Sequence, residues 1–99
     1  MTFIQYTPSA ADDIVRLVEF AFGAEPDYAQ QISGIIEDGI MVLNRHPQIG
    51  RLVLHTIYRE LIISYGKSGY IALYRYDEIR NIVTVLAVRH QRELDYPVS

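Results

Sequence analysis

The chain has 99 residues, no Cys, and is nearly half apolar with a fifth of its residues charged, the profile of one globular domain, residues 1–99, with a modest core. The absence of Cys excludes a disulfide framework and a thiolate metal site. The opening MTFIQYTPSA has neither the basic start nor the long apolar run of a secretion signal, and no apolar run approaches about 18 residues, so a cytoplasmic protein without a membrane span is expected. The net charge of −3 is unevenly spread: residues 1–50 carry −5, and residues 51–99 carry +2 with Arg as every basic residue but Lys67. Arg suits bidentate contact with carboxylate or phosphate. Nucleic-acid binders are usually basic overall, so an acidic protein partner is at least as natural for this chain.

In chain order, TFIQY reads as a short strand that breaks at Thr7-Pro8. Either Thr7 caps the next helix with Pro8 at its first position, or Ser9 caps it with Asp12 three residues on. Ile14, Leu17, Val18 and Ala21 then recur at helical spacing, which predicts a helix over 9–22 with Asp12, Asp13, Arg16 and Glu19 off the apolar stripe. After GAEPD, Ala29, Ile32, Ile36, Ile40 and Leu43 predict a second helix over 27–45. Gly34 and Gly39 inside it each cost about 1 kcal/mol relative to Ala, and close packing of the two helices is the expected reason. Pro47 and Gly50 end the helix in a loop.

The remainder reads as strands: ELIISY, a GKSG turn, YIALYRY, a tight DE turn, and IRNIVTVLAVRH. Residues 52–58 are compatible with a further irregular strand. Connections this short make an antiparallel meander, so the order βααβββ gives an α+β domain with a helical hairpin packed on one face of a mainly antiparallel sheet. In YIALYRY, Arg75 shares a face with Ile71 and Leu73, while Ala72, Tyr74 and Tyr76 share the other. A charged Arg points away from a helix-covered core, which predicts that Ile71 and Leu73 lie exposed beside it.

The order βααβββ, with YRELIISYGKSGYIALYRYDE and VLAVRHQRE, resembles the RelE/ParE superfamily of toxins from type II toxin–antitoxin systems, also called plasmid-stabilisation proteins. The resemblance spans essentially the whole chain and is most specific over 59–96. It implies a cytoplasmic toxin needing no cofactor or metal, held in a hetero-oligomer by a small antitoxin that wraps an extended segment around it. That antitoxin is expected to have a ribbon-helix-helix fold and an acidic C-terminal tail. Members like RelE cleave mRNA in the ribosomal A site; members like ParE poison DNA gyrase. Fold alone does not choose between them.

RNA cleavage of this kind needs a base for the ribose 2′-hydroxyl, cations for the developing phosphorane and an acid for the leaving oxygen. Ribonuclease members similar to RelE carry Arg directly after the Gly-Tyr of the central hairpin and Lys in the strand before it. Here Ile71 follows Gly69-Tyr70, and the preceding strand offers Leu61, Ile62, Ile63 and Ser64. Arg92 and Tyr96 lie near the Arg and the C-terminal Tyr of RelE-like members, and other ribonuclease branches place a His where His90 stands. His90, Arg92 and Tyr96 are therefore the catalytic candidates of the ribonuclease reading. Arg51, Arg59, Arg75 and Arg89 are the expected contacts to target or phosphate, and Ile71, Leu73 and Arg75 to antitoxin.

The HQR triplet is closer to ParE-like ends, and together with the acidic overall charge it favours gyrase poisoning over mRNA cleavage. A third reading is a non-toxic relic that binds antitoxin and serves in operon autoregulation. Plainer roles stand beside these: His90 as a hydrogen-bonded strand-end histidine, Arg59 with Glu60 and Arg92 with Glu93 as surface ion pairs, and the clustered tyrosines as buried rings with wet hydroxyls. His46 and His55 lack carboxylates in a metal-binding pattern.

Overall fold

The computed structural model describes residues 1–65 and 68–92. Strand β1 (Phe3–Tyr6) leads into helices α1 (Pro8–Ala24) and α2 (Pro26–Ile40), then strands β2 (Arg51–Leu52), β3 (Tyr58–Tyr65), β4 (Ser68–Asp77) and β5 (Ile82–His90). The five strands form one sheet in the order β1-β5-β4-β3-β2. β1 runs parallel to β5 and the other pairs are antiparallel. The expected α+β architecture holds, with β2 as one strand more than βααβββ counts.

Both helices start where the chain chemistry puts them. Thr7 is the cap of α1: its hydroxyl accepts the Ala10 N–H at 3.1 Å, and Pro8 supplies the preset first turn. Pro26 likewise opens α2. Ala10, Ile14 and Leu17 of α1 and Ile32, Ile36 and Ile40 of α2 pack on Leu61, Ile63, Ala72, Tyr74, Val83, Val85 and Val88 of the sheet. The second helix stops earlier than its periodicity predicts. Met41–Asn44 tighten into a 3₁₀ turn that still buries Leu43, so the apolar spacing survives while the helix type changes.

The two glycines of α2 do not serve helix–helix packing. A Cβ on Gly39 would lie 2.7 Å from Cγ2 of Ile63 in β3, so this glycine lets α2 settle onto the sheet, whereas a Cβ on Gly34 would meet nothing within 4 Å. The tight turn expected at Asp77-Glu78 is also longer. The Asp77 carboxylate accepts the N–H groups of Ile79 and Arg80, and Asn81 takes a left-handed φ of 57° before β5 begins at Ile82. Ile79, read as strand, is 97% exposed in that turn.

One irregularity in β5 decides which way its end faces. Val85 pairs with Tyr74 and Ala87 with Leu73, which leaves Leu86 as an extra residue, a β-bulge. Simple alternation from Val83 and Val85 would put Arg89 in the core and His90 outside. The bulge reverses this: Val88 pairs with Ala72 and His90 with Tyr70 on the helix-covered face, while Arg89 pairs with Ile71 on the open one.

Helix α1 supplies the partners that the bulged segment lacks. Where β1 ends, Thr7 N–H donates to Val85 O at 3.0 Å and the Thr7 hydroxyl to Leu86 O at 3.3 Å. Val88 N–H donates to the Asp13 carboxylate at 2.9 Å, and Arg16 Nη2 donates to Val88 O at 3.4 Å. Asp13 is only 6% exposed, so a charge expected on the solvent side of α1 is in fact a buried acceptor.

Asp13→Ala strands the Val88 N–H in the core and is expected to cost about 1–3 kcal/mol in urea unfolding, with Asp13→Asn, which keeps an acceptor oxygen, costing less. A loss below about 0.5 kcal/mol for Ala, the range of ordinary surface changes, would contradict this role. The glycines predict opposite signs: Gly34→Ala stabilises by about 0.5–1 kcal/mol, and Gly39→Ala destabilises because the added methyl overpacks against Ile63. Equal shifts in thermal midpoint for the two variants would rule out the packing role of Gly39.

Candidate functional site

The residues singled out by sequence fall into three places. His90 and Arg92 meet at one end of the sheet, on the helix-covered side, where they line a cavity of about 500 Å³ with Arg16, Leu17, Phe20 and Tyr28. Tyr70 and Ile32 form its buried floor. The His90 and Tyr70 rings meet nearly at right angles with centroids 5.4 Å apart, and the Tyr70 and Tyr28 hydroxyls lie 3.2 Å apart across the gap between sheet and α2. Burial first, and then the Tyr28 hydroxyl, raise the Tyr70 phenol above its ordinary range, so it is a neutral hydrogen-bonding group.

His90 Nδ1 accepts the backbone N–H of Arg92 at 3.1 Å. The neutral ring therefore carries its proton on Nε2, and its one imine lone pair is already used. A proton acceptor for a ribose hydroxyl is not set up in this arrangement. Tyr96 and Glu93, which the ribonuclease reading and the expected Arg92–Glu93 ion pair need, lie outside the described residues, as do Gly66 and Lys67 of the GKSG turn.

The second place is the open face of the sheet. Arg75 is exposed there, as strand parity predicts, but Ile71 and Leu73 are half-buried rather than exposed. Their cross-strand neighbours explain the difference: Ile71 sits between Ile62 and Arg89, and Leu73 between Glu60 and Ala87. The larger exposed apolar side chain on this face is Ile62, 66% accessible, which sequence reasoning did not single out. Arg89 Nη1 donates to His90 O at 3.3 Å, which holds the guanidinium close to the strand end.

Arg51 and Arg59 make the third place, at the β2–β3 edge; Arg59 is committed to the fold, while Arg51 stays exposed in a surface ion pair. Arg59 Nη1 donates to Gly50 O at 2.8 Å and Gln48 O at 3.0 Å. Arg51, not Arg59, pairs with Glu60, at 2.7 Å across the strands. The same loop is pinned by Tyr74, whose hydroxyl accepts the Gly50 N–H at 2.9 Å and donates to Pro47 O at 2.8 Å. That hydroxyl is buried, not wet, and desolvation raises its pKa. Among the described residues no cluster of three or more His, Cys, Asp or Glu could hold a metal ion, and no helix is long and apolar enough to cross a membrane.

Sequence reasoning missed Arg16, Phe20 and Tyr28, the residues that turn the His90 end of the sheet into a cavity. The available signal was Phe20, an aromatic beside the α1 stripe that is 80% exposed in the isolated chain.

Known structures reproduce this arrangement of helical hairpin and sheet. A chain of the chromosomal ParDE toxin–antitoxin system from P. aeruginosa superposes with a TM-score of 0.75 at 17% identity, over 91% of this chain and 96% of that one. A chain of the RelBE2 toxin–antitoxin complex from Mycobacterium tuberculosis gives 0.60 at 21% identity, over 91% and 98% of the two chains. A chain of the intact E. coli RelBE complex gives 0.63 at 15%, over 94% and 100%. No curated protein matches in sequence. Residues 4–95 match the family described as the ParE toxin of the type II toxin–antitoxin system parDE. With the match spanning nearly the whole chain, from β1 to beyond β5, this protein belongs to the ParE toxin family of type II toxin–antitoxin systems.

Proposed function

We propose that this chain arrests growth by poisoning DNA gyrase and is neutralised by a cognate antitoxin that docks on the open sheet face and the helical hairpin. The observation that carries the choice of target is the prior commitment of the candidate chemical groups. His90 Nδ1 holds the Arg92 N–H, Arg59 holds two backbone carbonyls and Arg51 holds Glu60. A poison that works by binding needs surface, not a proton relay, and Arg75 with Arg89 on the open face supplies a cationic one. The antitoxin reading is supported by the similar solved structures, which are toxin–antitoxin complexes. The strip of Ile62, Ile71 and Leu73 beside those arginines suits an acidic, amphipathic segment.

Purified protein added to gyrase and relaxed plasmid is expected to block supercoiling or trap cleaved DNA. Arg75→Glu should raise the concentration needed by about tenfold or more, the equivalent of 1.4 kcal/mol. Undiminished supercoiling at excess toxin rejects the gyrase reading.

A second reading, ribosome-dependent mRNA cleavage, is favoured by one observation: His90 and Arg92 converge on the same cavity, with Arg16 also at its wall. In that case the Arg92 N–H must release His90 Nδ1 when RNA binds. In a reconstituted translation system the signature is codon-positioned cuts that His90→Ala reduces by about 10²-fold or more, the scale of a general base. Uncut mRNA on toxin-treated ribosomes disposes of this alternative. If both assays are negative and expression without antitoxin is harmless, the chain is the antitoxin-binding relic.

A further inference from the structure

We propose that the cavity between the helical hairpin and the Tyr70–His90 end of the sheet is an anchor pocket for one large apolar side chain on an acidic segment of the antitoxin. This rests on the antitoxin reading above and adds to it the site and the chemistry of the contact. The floor is mainly apolar: Leu17, Ile32 and Tyr70 are all buried, and the Tyr70 hydroxyl is paired with that of Tyr28. Phe20, Ala21 and Ala24 of α1 form an apolar wall, and Phe20 is 80% exposed in the free chain. An aromatic ring left this open beside a cavity of about 500 Å³ is a contact surface waiting for a partner atom. The volume is within the ~300–1,000 Å³ of pockets that enclose ligands, and is ample for a Leu, Phe or Trp side chain with its flanking backbone.

The rim selects the charge of the occupant. Among the described residues, Arg16 and Arg92 stand at the opening beside the neutral His90 ring and against the acid Glu25, with Arg16 also 4.0 Å from the Asp13 carboxylate. The two guanidinium groups favour carboxylates beside the anchor, while two copies of a chain of net charge −3 repel each other overall. The rim also joins the open-face strip. Ile71 pairs with Arg89 on the open face, and one residue further along the same two strands Tyr70 pairs with His90 on the cavity side. A segment lying on Ile71 and Leu73 therefore reaches the pocket by turning around the end of the sheet, without crossing the hairpin.

The test uses the full chain and the intact antitoxin from its operon, with affinity measured by titration calorimetry. Ala24→Trp fills the pocket from an exposed position at the end of α1, and is expected to weaken binding at least about tenfold, as blocking a hot spot does. Should that variant misfold by circular dichroism, Phe20→Glu, at an equally solvent-facing position, gives the same readout. Arg92→Glu is expected to weaken binding by a similar factor and to flatten its salt dependence. Wild-type binding with unchanged affinity in the folded pocket variants overturns the pocket and leaves the antitoxin reading intact. No binding by the wild type overturns both. A wild-type dimer that Ala24→Trp dissociates assigns the pocket to a second copy and also overturns the proposal.

Discussion

The extra residue in β5 is the constraint on which the site depends. β1 stops pairing at Val85, and the Leu86 bulge then turns the strand so that its polar backbone groups face helix α1 rather than another strand. Each buried N–H or C=O left without a partner costs about 1–3 kcal/mol, so this arrangement survives only because Thr7, Asp13 and Arg16 complete the ladder that β1 abandons. The consequence reaches beyond stability. The helix that fixes the strand also carries Phe20, Ala21 and Ala24, so the wall of the cavity and the direction of His90 are set by the same contacts.

That dependence explains what could be read from the sequence. Regular periodicity reported the regular parts: the apolar stripes of α1 and α2, the Thr7-Pro8 start, and the β3–β4 hairpin, in which Arg75 and Tyr74 take opposite faces as alternation requires. The failures lie where one residue breaks a period. Nothing in VTVLAVRH announces that Leu86 is counted out of the ladder, so parity alone misplaces both His90 and Arg89. Ile79 looks like strand because the Asp77 side chain, not a glycine, makes the turn. Gly39 looks like a helix–helix contact because its actual neighbour, Ile63, comes from a strand more than twenty residues away in the chain. Tertiary partners also separated Arg59 from the adjacent Glu60, since the sheet offers Glu60 a cross-strand Arg51 and Arg59 two loop carbonyls.

The fold converts a charge imbalance along the chain into one between layers. The −5 of residues 1–50 sits largely on the helical hairpin, with Asp12, Glu19, Glu25, Asp27, Glu37 and Asp38 all exposed. Four of the six arginines of the second half, Arg51, Arg59, Arg75 and Arg89, belong to the sheet, where Arg75 is open to solvent and Arg51 lies at the edge. An acidic partner approaching from the sheet side meets positive charge first, and the helical layer behind it repels wrong orientations. Because the Debye length is about 8 Å in physiological salt, this steering acts only near contact. It orients a docking event more than it attracts from afar.

The same geometry argues for recognition over chemistry at His90. Catalysis by a histidine requires a lone pair directed at the reacting proton and cations preorganised around the developing charge. Here the lone pair is turned to the Arg92 N–H, the ring packs T-shaped with Tyr70, and the arginines divide among a cavity wall, an open face and a loop anchor. Bringing them to one phosphate would require Arg59 to leave its carbonyls and unpin the Gly50 loop that Tyr74 holds from inside the core. A binding surface makes no such demand. It uses the arginines where they stand, and the bulge that turns His90 inward places Arg89 on the open face beside Ile71.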